Sequence, residues 1–288
     1  MSDFENLPTS GDAEFGGAGF GAMSPPGGDQ PMSPPPPPTW GAAPPPFRPT
    51  YSPNAVTNFQ SAKGLSTGVK VLLAIDAVIA LVYAWFRLVE RGLLLDIRAG
   101  KRPTARELLD SDDRLKSLSS VSLLAGLVTI VVFLIWFHRS RKNANALADS
   151  VKYSTGMAIG SWFIPFADAV MPFQIALGMW SKDSSGNKRS AGIPVLWWAF
   201  FLVGGVVRFV GQGKISSALK EVRASAIGLN AAIDKAASGD VLTAVGSVMA
   251  VVAAIAGVMF VAGLTKSQDD RFAAATAGGG VTYGAPLR

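Results

Sequence analysis

The sequence predicts an all-α fold: an integral membrane helical bundle of about five transmembrane helices behind a disordered proline-rich N-terminal tail. Mean hydropathy is +0.32, although 14 of the 19 prolines lie within the first 65 of the 288 residues. The later residues must therefore carry long apolar runs, which is a membrane signature. Lysines and arginines gather at the ends of those runs, where they reach lipid phosphates and water.

Residues 1–65 form the first predicted unit, a disordered Pro/Gly-rich tail. Five consecutive prolines at 34–38 fix φ and remove backbone donors, which favours extended polyproline II. Such a tail is either a solvated spacer or an arm that docks into an aromatic groove of a protein partner. Residues 66–265 are the predicted membrane domain, and the polar, glycine-rich residues 266–288 are a predicted disordered C-terminal tail.

Five apolar runs are the candidate spans, at residues 70–88, 118–137, 157–180, 193–210 and 241–264. The second run has no charge and about 20 residues, close to the length that crosses about 30 Å of hydrocarbon. Thr104 and Glu107 have the Thr-x-x-Glu spacing of a capping box. A short surface helix is therefore expected to begin there and to lead into the second span.

Proline interrupts the third candidate span. Pro165 and Pro172 each remove one helical hydrogen bond, which neighbouring protein or water must replace within lipid. The segment is therefore expected to be kinked. The alternative is a re-entrant segment, in which case four crossings remain and both termini face the cytoplasm.

Two later segments predict how the bundle packs. Apolar residues recur at spacings of three and four from Ile215 to Ile233, which indicates an interfacial amphipathic helix. Small residues in the fifth span let helix backbones approach closely and place that span inside the bundle. These helix-packing residues are Gly246, Ala250, Ala254 and Gly257.

Ionisable and proline residues within the apolar runs mark a candidate intramembrane polar site. Its members are Asp168, Arg208, Asp76, Pro165 and Pro172. An isolated charge in hydrocarbon costs at least about 2.5 kcal/mol, so each charge needs a partner or water. We expect Asp168 to face the bundle interior and to pair with Arg208, or with Arg139 or Arg141 at the end of the second span.

Composition argues against several classes of function. The chain has no cysteine, which removes thiolate metal sites and thiol nucleophiles. The one histidine, His138, lies among basic residues at the end of a span, an unsuitable place for a Ser-His-Asp triad. No catalytic residue, metal ligand or cofactor is predicted, and the chain is not expected to be an enzyme. Nucleic acid is not an expected partner, because the basic residues punctuate hydrophobic runs.

Two central motifs resemble those of a known family. The first follows the second span and the second crosses the proline-rich third segment; they read Trp136-x-x-Arg139-x-Arg141-x-Asn143 and Trp162-Phe163-Ile164-Pro165 with Pro172-Phe173-Gln174. Together they resemble actinobacterial membrane proteins grouped as domain of unknown function 4328, over about residues 66–272. The resemblance implies a membrane location and a span arrangement, but no reaction. The family usually has asparagine at the position of Asp168.

These observations predict a multi-pass protein of the cell membrane whose partner is the lipid bilayer and whose N-terminal tail is cytoplasmic. Arg139 and Arg141, with Trp136 and Asn143, form a basic motif at the cytoplasmic edge. The expected function is that of a membrane interaction or scaffold protein with a partner-binding tail. The alternative is a small transporter or channel subunit with its site at the Pro165-Asp168-Pro172 break.

Overall fold

The computed structural model describes residues 58–278, so the predicted proline-rich arm at 1–57 and the end of the chain at 279–288 lie outside the described residues. The helices of this part of the chain are α1 (Lys63–Arg98), α2 (Ala105–Ala146), α3 (Met157–Gly160), α4 (Met171–Trp180), α5 (Gly192–Arg223) and α6 (Leu229–Gly278). Four of them, α1, α2, α5 and α6, are long and apolar enough to cross a membrane. The prediction of an all-α bundle with membrane-compatible helices is confirmed.

The third predicted span, 157–180, is not a continuous helix. The four-residue α3 and the ten-residue α4 are joined by turns that contain Pro165. A ten-residue helix is about 15 Å long, half of what a bilayer core requires. The described residues therefore hold four helices of spanning length and not five, because proline interrupts the backbone ladder of the third run.

The central helix of the bundle is α6, which lies between α1 and α5. Half of the most apolar stretch of α6 is buried, against 22%, 11% and 22% in α1, α2 and α5. The outermost helix, α2, packs chiefly against α1. Neighbouring long helices are antiparallel, because the contact residues of one helix rise in number as those of its neighbour fall. The contacts between α1 and α2 are Asp76 with Thr129 and Glu90 with Ser111, and those between α5 and α6 are Gly204 with Gly246 and Gly211 with Gly239.

The bundle has two ends of different construction. At the loop end, the short connections 99–104 and 224–228 join α1 to α2 and α5 to α6. At the hairpin end, α1 begins, α6 ends, and the long connection 147–191 joins α2 to α5. Both ends of the described chain, near residues 58 and 278, are consequently at the hairpin end.

The connection 147–191 enters the bundle and returns to the same end. Arg141 binds the Tyr153 carbonyl at 2.6 Å near the start of this excursion. Trp162 then reaches inward, with its ring 5.7 Å from that of Phe133. On the way back, α4 brings Gly178 close to Val151, where a Cβ on the glycine would lie 3.0 Å from Val151 Cγ1. We call residues 157–180 the hairpin segment; its turning back to the same end is the re-entrant alternative of the sequence prediction.

An aromatic cluster fixes the hairpin segment to the long helices. Trp198 of α5 donates its indole N–H to the Ala169 carbonyl at 3.0 Å and stacks on Phe173. Trp180 donates to the Ser190 carbonyl at 2.7 Å. Because the indole N–H groups of Trp198 and Trp180 are paired and their rings are packed, these two side chains fix the orientation of the hairpin segment.

Three sequence predictions about boundaries have mixed outcomes. The capping box is confirmed: Thr104 Oγ1 accepts from Glu107 N at 3.2 Å, and the Glu107 carboxylate accepts from Thr104 N at 2.8 Å. The helix then continues without a break into the apolar run. The separate amphipathic helix at 215–233 is wrong, because residues 215–223 extend α5 and residues 229–233 open α6. Residues 266–278, predicted as disordered, are the end of α6.

Candidate functional site

Four polar side chains form a column along one face of α1, the face that lies toward α2 and α5. Asp76, Tyr83, Arg87 and Glu90 are spaced by seven, four and three residues, which places them on one side of a helix. Each meets a polar group from another helix. The column therefore runs from the loop end toward the middle of the bundle.

Asp76 is the innermost member of the column. Its Oδ2 accepts a hydrogen bond from Thr129 Oγ1 of α2 at 2.6 Å. A carboxylate in an apolar setting needs such a donor. The sequence identified Asp76 as needing a partner, but Thr129 is 53 residues away and no local pattern links the two.

A buried network forms the middle of the column. Arg87 donates to Tyr83 Oη at 2.7 Å and to Asp240 Oδ1 of α6 at 3.2 Å. The side chains of Arg87 and Asp240 are only 11% and 2% exposed. Gln212 of α5 also donates to Tyr83 Oη, at 2.7 Å. Three helices are therefore joined through one tyrosine hydroxyl and one ion pair.

Arg208 of α5 lies beside this network without an ion pair among the described residues. Its guanidinium carbon is 5.6 Å from the centre of the Tyr83 ring, a cation–π contact. Its side chain is half-buried, and its backbone packs against Gly246 of α6. Arg208 and Asp76 line the same cavity but are not in salt-bridge contact.

The cavity that these two residues share has a volume of about 370 Å³. Small residues create it, because Gly126, Gly205 and Ala250 leave space that larger side chains would fill. Trp162 and Phe201 line its hairpin side. A volume of this size is within the range of small-molecule sites in proteins.

A second cavity, of about 690 Å³, lies toward the loop end between the same helices. Charged side chains line part of it, including Arg87, Glu90, Lys116 and Asp240. Most of these charges already have partners: Arg87 pairs with Asp240, and Lys116 pairs with Asp112 at 2.6 Å. The second cavity is therefore polar but largely self-neutralised.

Asp168 and the two prolines lie apart from the cavity of Asp76 and Arg208. Asp168 is exposed on the outer side of the hairpin segment, not in the bundle interior, and it forms no ion pair among the described residues. Pro165 is exposed in the turns of that segment, whereas Pro172 is buried at the start of α4. The predicted pairing with Arg208, Arg139 or Arg141 is wrong, because the turn at 165–168 directs Asp168 outward.

The basic motif after the second apolar run joins chain segments together. The Asn143 amide donates to the Gln60 carbonyl at 2.8 Å and accepts from Gln60 N at 3.1 Å. Arg139 donates to Gln60 Oε1 at 3.1 Å, and Trp136 donates to Thr265 Oγ1 at 3.1 Å. Arg141 is buried and binds the Tyr153 carbonyl, so it is a structural residue and not a free surface cation.

A second buried ion pair closes the hairpin end, and the sequence prediction missed it. Arg271 binds both carboxylate oxygens of Asp149, at 2.7 and 3.0 Å, and Lys182 lies 3.1 Å from the same carboxylate. Nearby, Arg189 covers the ring of Trp180 at 3.3 Å from its centre. Burial there lowers the pKa of the Arg189 guanidinium, which nonetheless stays charged at neutral pH.

Comparison with known proteins gives one match. A family model described as "Domain of unknown function (DUF4328)" matches residues 99–266, more than half of the chain. The match covers α2 to α5, most of α6 and the hairpin segment, and it begins directly after α1. No curated protein and no solved structure matches the chain.

Proposed function

We propose a function for this chain, which belongs to the DUF4328 family: it is a multi-pass scaffold protein of the cell membrane that holds its proline-rich N-terminal tail as an arm for a protein partner. The four membrane-compatible helices support the membrane setting. The described chain begins at the hairpin end, and we place that end in the cytoplasm. No catalytic step is assigned to the chain.

The observation that carries this proposal is the attachment of the chain where the tail meets the bundle. Gln60 is held on both its backbone N–H and its carbonyl by Asn143, whose side chain is almost fully buried. Phe59 stacks on Phe272 of α6, with ring centres 4.1 Å apart. The described chain therefore begins at a fixed point between α2 and α6, and a fixed attachment is what an arm that positions a partner requires.

Crosslinking followed by co-purification tests the proposal. The full chain is compared with a variant that lacks residues 1–56 and keeps the Phe59 and Gln60 contacts. We expect at least one protein to crosslink reproducibly to the full chain and to be lost from the shortened one. The shortened variant must still sediment with membranes and unfold at the same temperature. The proposal fails if every crosslinked protein is retained without the tail.

The alternative is a small transporter or channel subunit with its site at the Pro165-Asp168-Pro172 break. Broken helices free backbone groups that coordinate ions in transporters, which supports this alternative. Asp168 is exposed and forms no ion pair among the described residues, so such a site would rest on this one carboxylate. An ion flux in liposomes that is abolished by Asp168→Ala and unchanged by Lys152→Ala, at another exposed charge of the connection 147–191, would favour transport over the scaffold.

A further inference from the structure

We propose that the cleft between α2 and α5 binds one acyl chain of an anionic phospholipid, with Arg208 binding the lipid head group. This site is separate from the tail and from the proposed scaffold function. Four observations support it: the unfilled volume, the side on which the cleft is open, its polarity from end to end, and the unpaired guanidinium.

The volume of the cleft cannot stay empty in a membrane. Protein interiors are close-packed, and voids larger than a water molecule are few. The cavity of about 370 Å³ equals roughly twelve water volumes of about 30 Å³ each. Most of its wall is alanine, glycine and aromatic side chains, which offer water few hydrogen bonds. The polar side chains apart from Arg208 are Asp76, Ser122 and Thr129, and Thr129 already donates to Asp76. Hydrocarbon is therefore the occupant that the wall favours.

The open side of the cleft faces the bilayer. Among the described residues, α2 packs against α1 and is not closely packed against α5. Helix α6 closes the back of the cleft with Ala250, Ala253 and Ala254. An acyl chain can therefore enter sideways from the membrane between α2 and α5, without passing through the bundle.

The cleft is apolar at one end and charged at the other, as a phospholipid is. At the hairpin side, Phe133, Trp162 and Phe201 close it with aromatic rings. At the loop side, the guanidinium of Arg208 lies over Tyr83, which is four residues from the buried Arg87. An apolar chain thus points toward the middle of the bundle and a head group toward the loop end. This is the orientation of a phospholipid in the leaflet on the loop side.

The charge of Arg208 selects an anionic head group. Arg87, the guanidinium of the column on α1, is already paired with Asp240. Arg208 forms no ion pair among the described residues: Asp76 lines the same cavity without salt-bridge contact, and Tyr83 supplies only its ring. A guanidinium within the apolar part of a helix is costly unless it is paired, and it binds phosphate through two parallel N–H groups. A lipid phosphate satisfies this requirement without a compensating acid from the protein.

Native mass spectrometry of protein taken from defined vesicles tests the site. The vesicles contain equal parts of phosphatidylglycerol and phosphatidylethanolamine with identical acyl chains. We expect the wild-type chain to retain one phosphatidylglycerol molecule. Arg208→Gln should reduce this retention about tenfold or more, because a hydrogen-bonded charge pair is lost. Arg208→Lys should keep the preference for the anionic lipid, because it keeps the charge.

A second pair of variants tests where the acyl chain lies. A Cβ at Gly205 or Gly126 meets no atom within 4 Å, so Gly205→Leu and Gly126→Leu fill the cavity without displacing the backbone. Both should abolish retention. Gly213→Leu is the matched control, because Gly213 lies on the same helix as Gly205 with equally open surroundings and does not line the cavity.

Several outcomes would overturn the proposal. Equal retention of both lipids by wild type, or no retained lipid, removes the anionic site. Retention by Arg208→Gln at the wild-type level removes the role of the guanidinium, and retention by Gly205→Leu places the lipid elsewhere. An adduct with the mass of a free fatty acid rules out a phospholipid as the source of the chain.

Discussion

Buried charges at the hairpin end show how single residues hold the long connection to the bundle. Asp149 follows α2, and its carboxylate has no exposed surface. Arg271 of α6 binds both of its oxygens, and the Arg271 side chain is 4% exposed. Two fully desolvated partners of opposite charge depend on each other, because either one alone would be a buried, unpaired ion.

Replacing one member of this pair should destabilise the protein strongly. We expect Arg271→Gln to lower the free energy of unfolding by about 3 kcal/mol, since the buried Asp149 loses the partner that binds both of its oxygens and the half-exposed Lys182 compensates for only part of that loss. Adding Asp149→Asn should restore part of the loss. Denaturant titration in detergent micelles measures both values.

Lys182→Gln is the control for that comparison, because the Lys182 side chain is 40% exposed and Arg271 still binds both oxygens of Asp149 in this variant, so the loss should be clearly smaller. If Arg271→Gln and Lys182→Gln cost the same, the buried pair does not hold the connection.

The sequence identified which charges need partners, but not the partners themselves. Asp76 and Arg208 were recognised because a charge interrupts an apolar run. Thr129 was not, since a threonine in a helix is unremarkable, and the pairing of Arg87 with Asp240 spans 153 residues. Asp168 was misplaced for the same reason. A local pattern shows that a helix breaks but not which way the broken backbone turns.

The ends of three long helices illustrate structure at the scale of the element. A residue with positive φ follows each of α1, α2 and α5: Gly100 at 82°, Ala148 at 55° and Ser225 at 54°. In each case the next amide donates back five residues, as Asp149 N does to the Ala144 carbonyl at 2.8 Å. This is the Schellman motif, in which glycine is the preferred residue.

Glycine should therefore stabilise the two helix ends that lack it, those of α2 and α5. Ala148→Gly and Ser225→Gly are each expected to raise the free energy of unfolding by about 1 kcal/mol, because they relieve a left-handed conformation that costs side-chain-bearing residues about that amount. Gly100→Ala should lower it by a similar amount. Equilibrium unfolding in the same detergent measures all three.

Ala224→Gly provides the comparison, because Ala224 has a φ of −83°, which suits any L-residue. A gain at Ala224 equal to that at Ser225 would mean that glycine acts through chain flexibility and not through the cap.

The contact of α5 with α6 depends on the absence of side chains. A Cβ on Gly246 would lie 2.8 Å from both the Arg208 backbone nitrogen and the Gly204 carbonyl oxygen. The same holds at Gly211 and Gly239, where an added Cβ would lie 2.7 Å from backbone atoms of the opposite helix. Within lipid, such close backbone approach is the main source of helix association.

Alanine at Gly246 should separate these helices. We expect Gly246→Ala to cost between about 1 and 3 kcal/mol, the usual range for overpacking. Gly205→Ala, on α5 of the same helix pair, should not lower the free energy of unfolding, because its Cβ meets open space and alanine is the better helix former. Thermal unfolding of the two variants in detergent distinguishes them. Equal losses would indicate that glycine flexibility, not backbone contact, matters at position 246.

For the whole molecule, the number of helices of spanning length decides which segments share a side. Long apolar runs predicted α1, α2, α5 and α6 well, because lipid-compatible composition extends over whole helices. The hairpin segment has the same composition but too little uninterrupted helix. Hydropathy measures how apolar a segment is and does not register whether its backbone turns back, so the count of five was one too high.

Cysteine labelling of intact cells tests this arrangement directly, because the chain has no cysteine of its own. With four crossings, Ser61→Cys and Thr276→Cys should react with a membrane-impermeant maleimide from one side, and Lys101→Cys and Ala226→Cys from the other. All four positions are exposed. Five crossings would instead place position 226 on the side of position 61 and position 276 opposite to it. Positions 226 and 276 therefore discriminate between the two topologies, while position 101 is opposite to 61 in both and serves as the internal control. With the hairpin end cytoplasmic, reagent outside the cell should label positions 101 and 226 only.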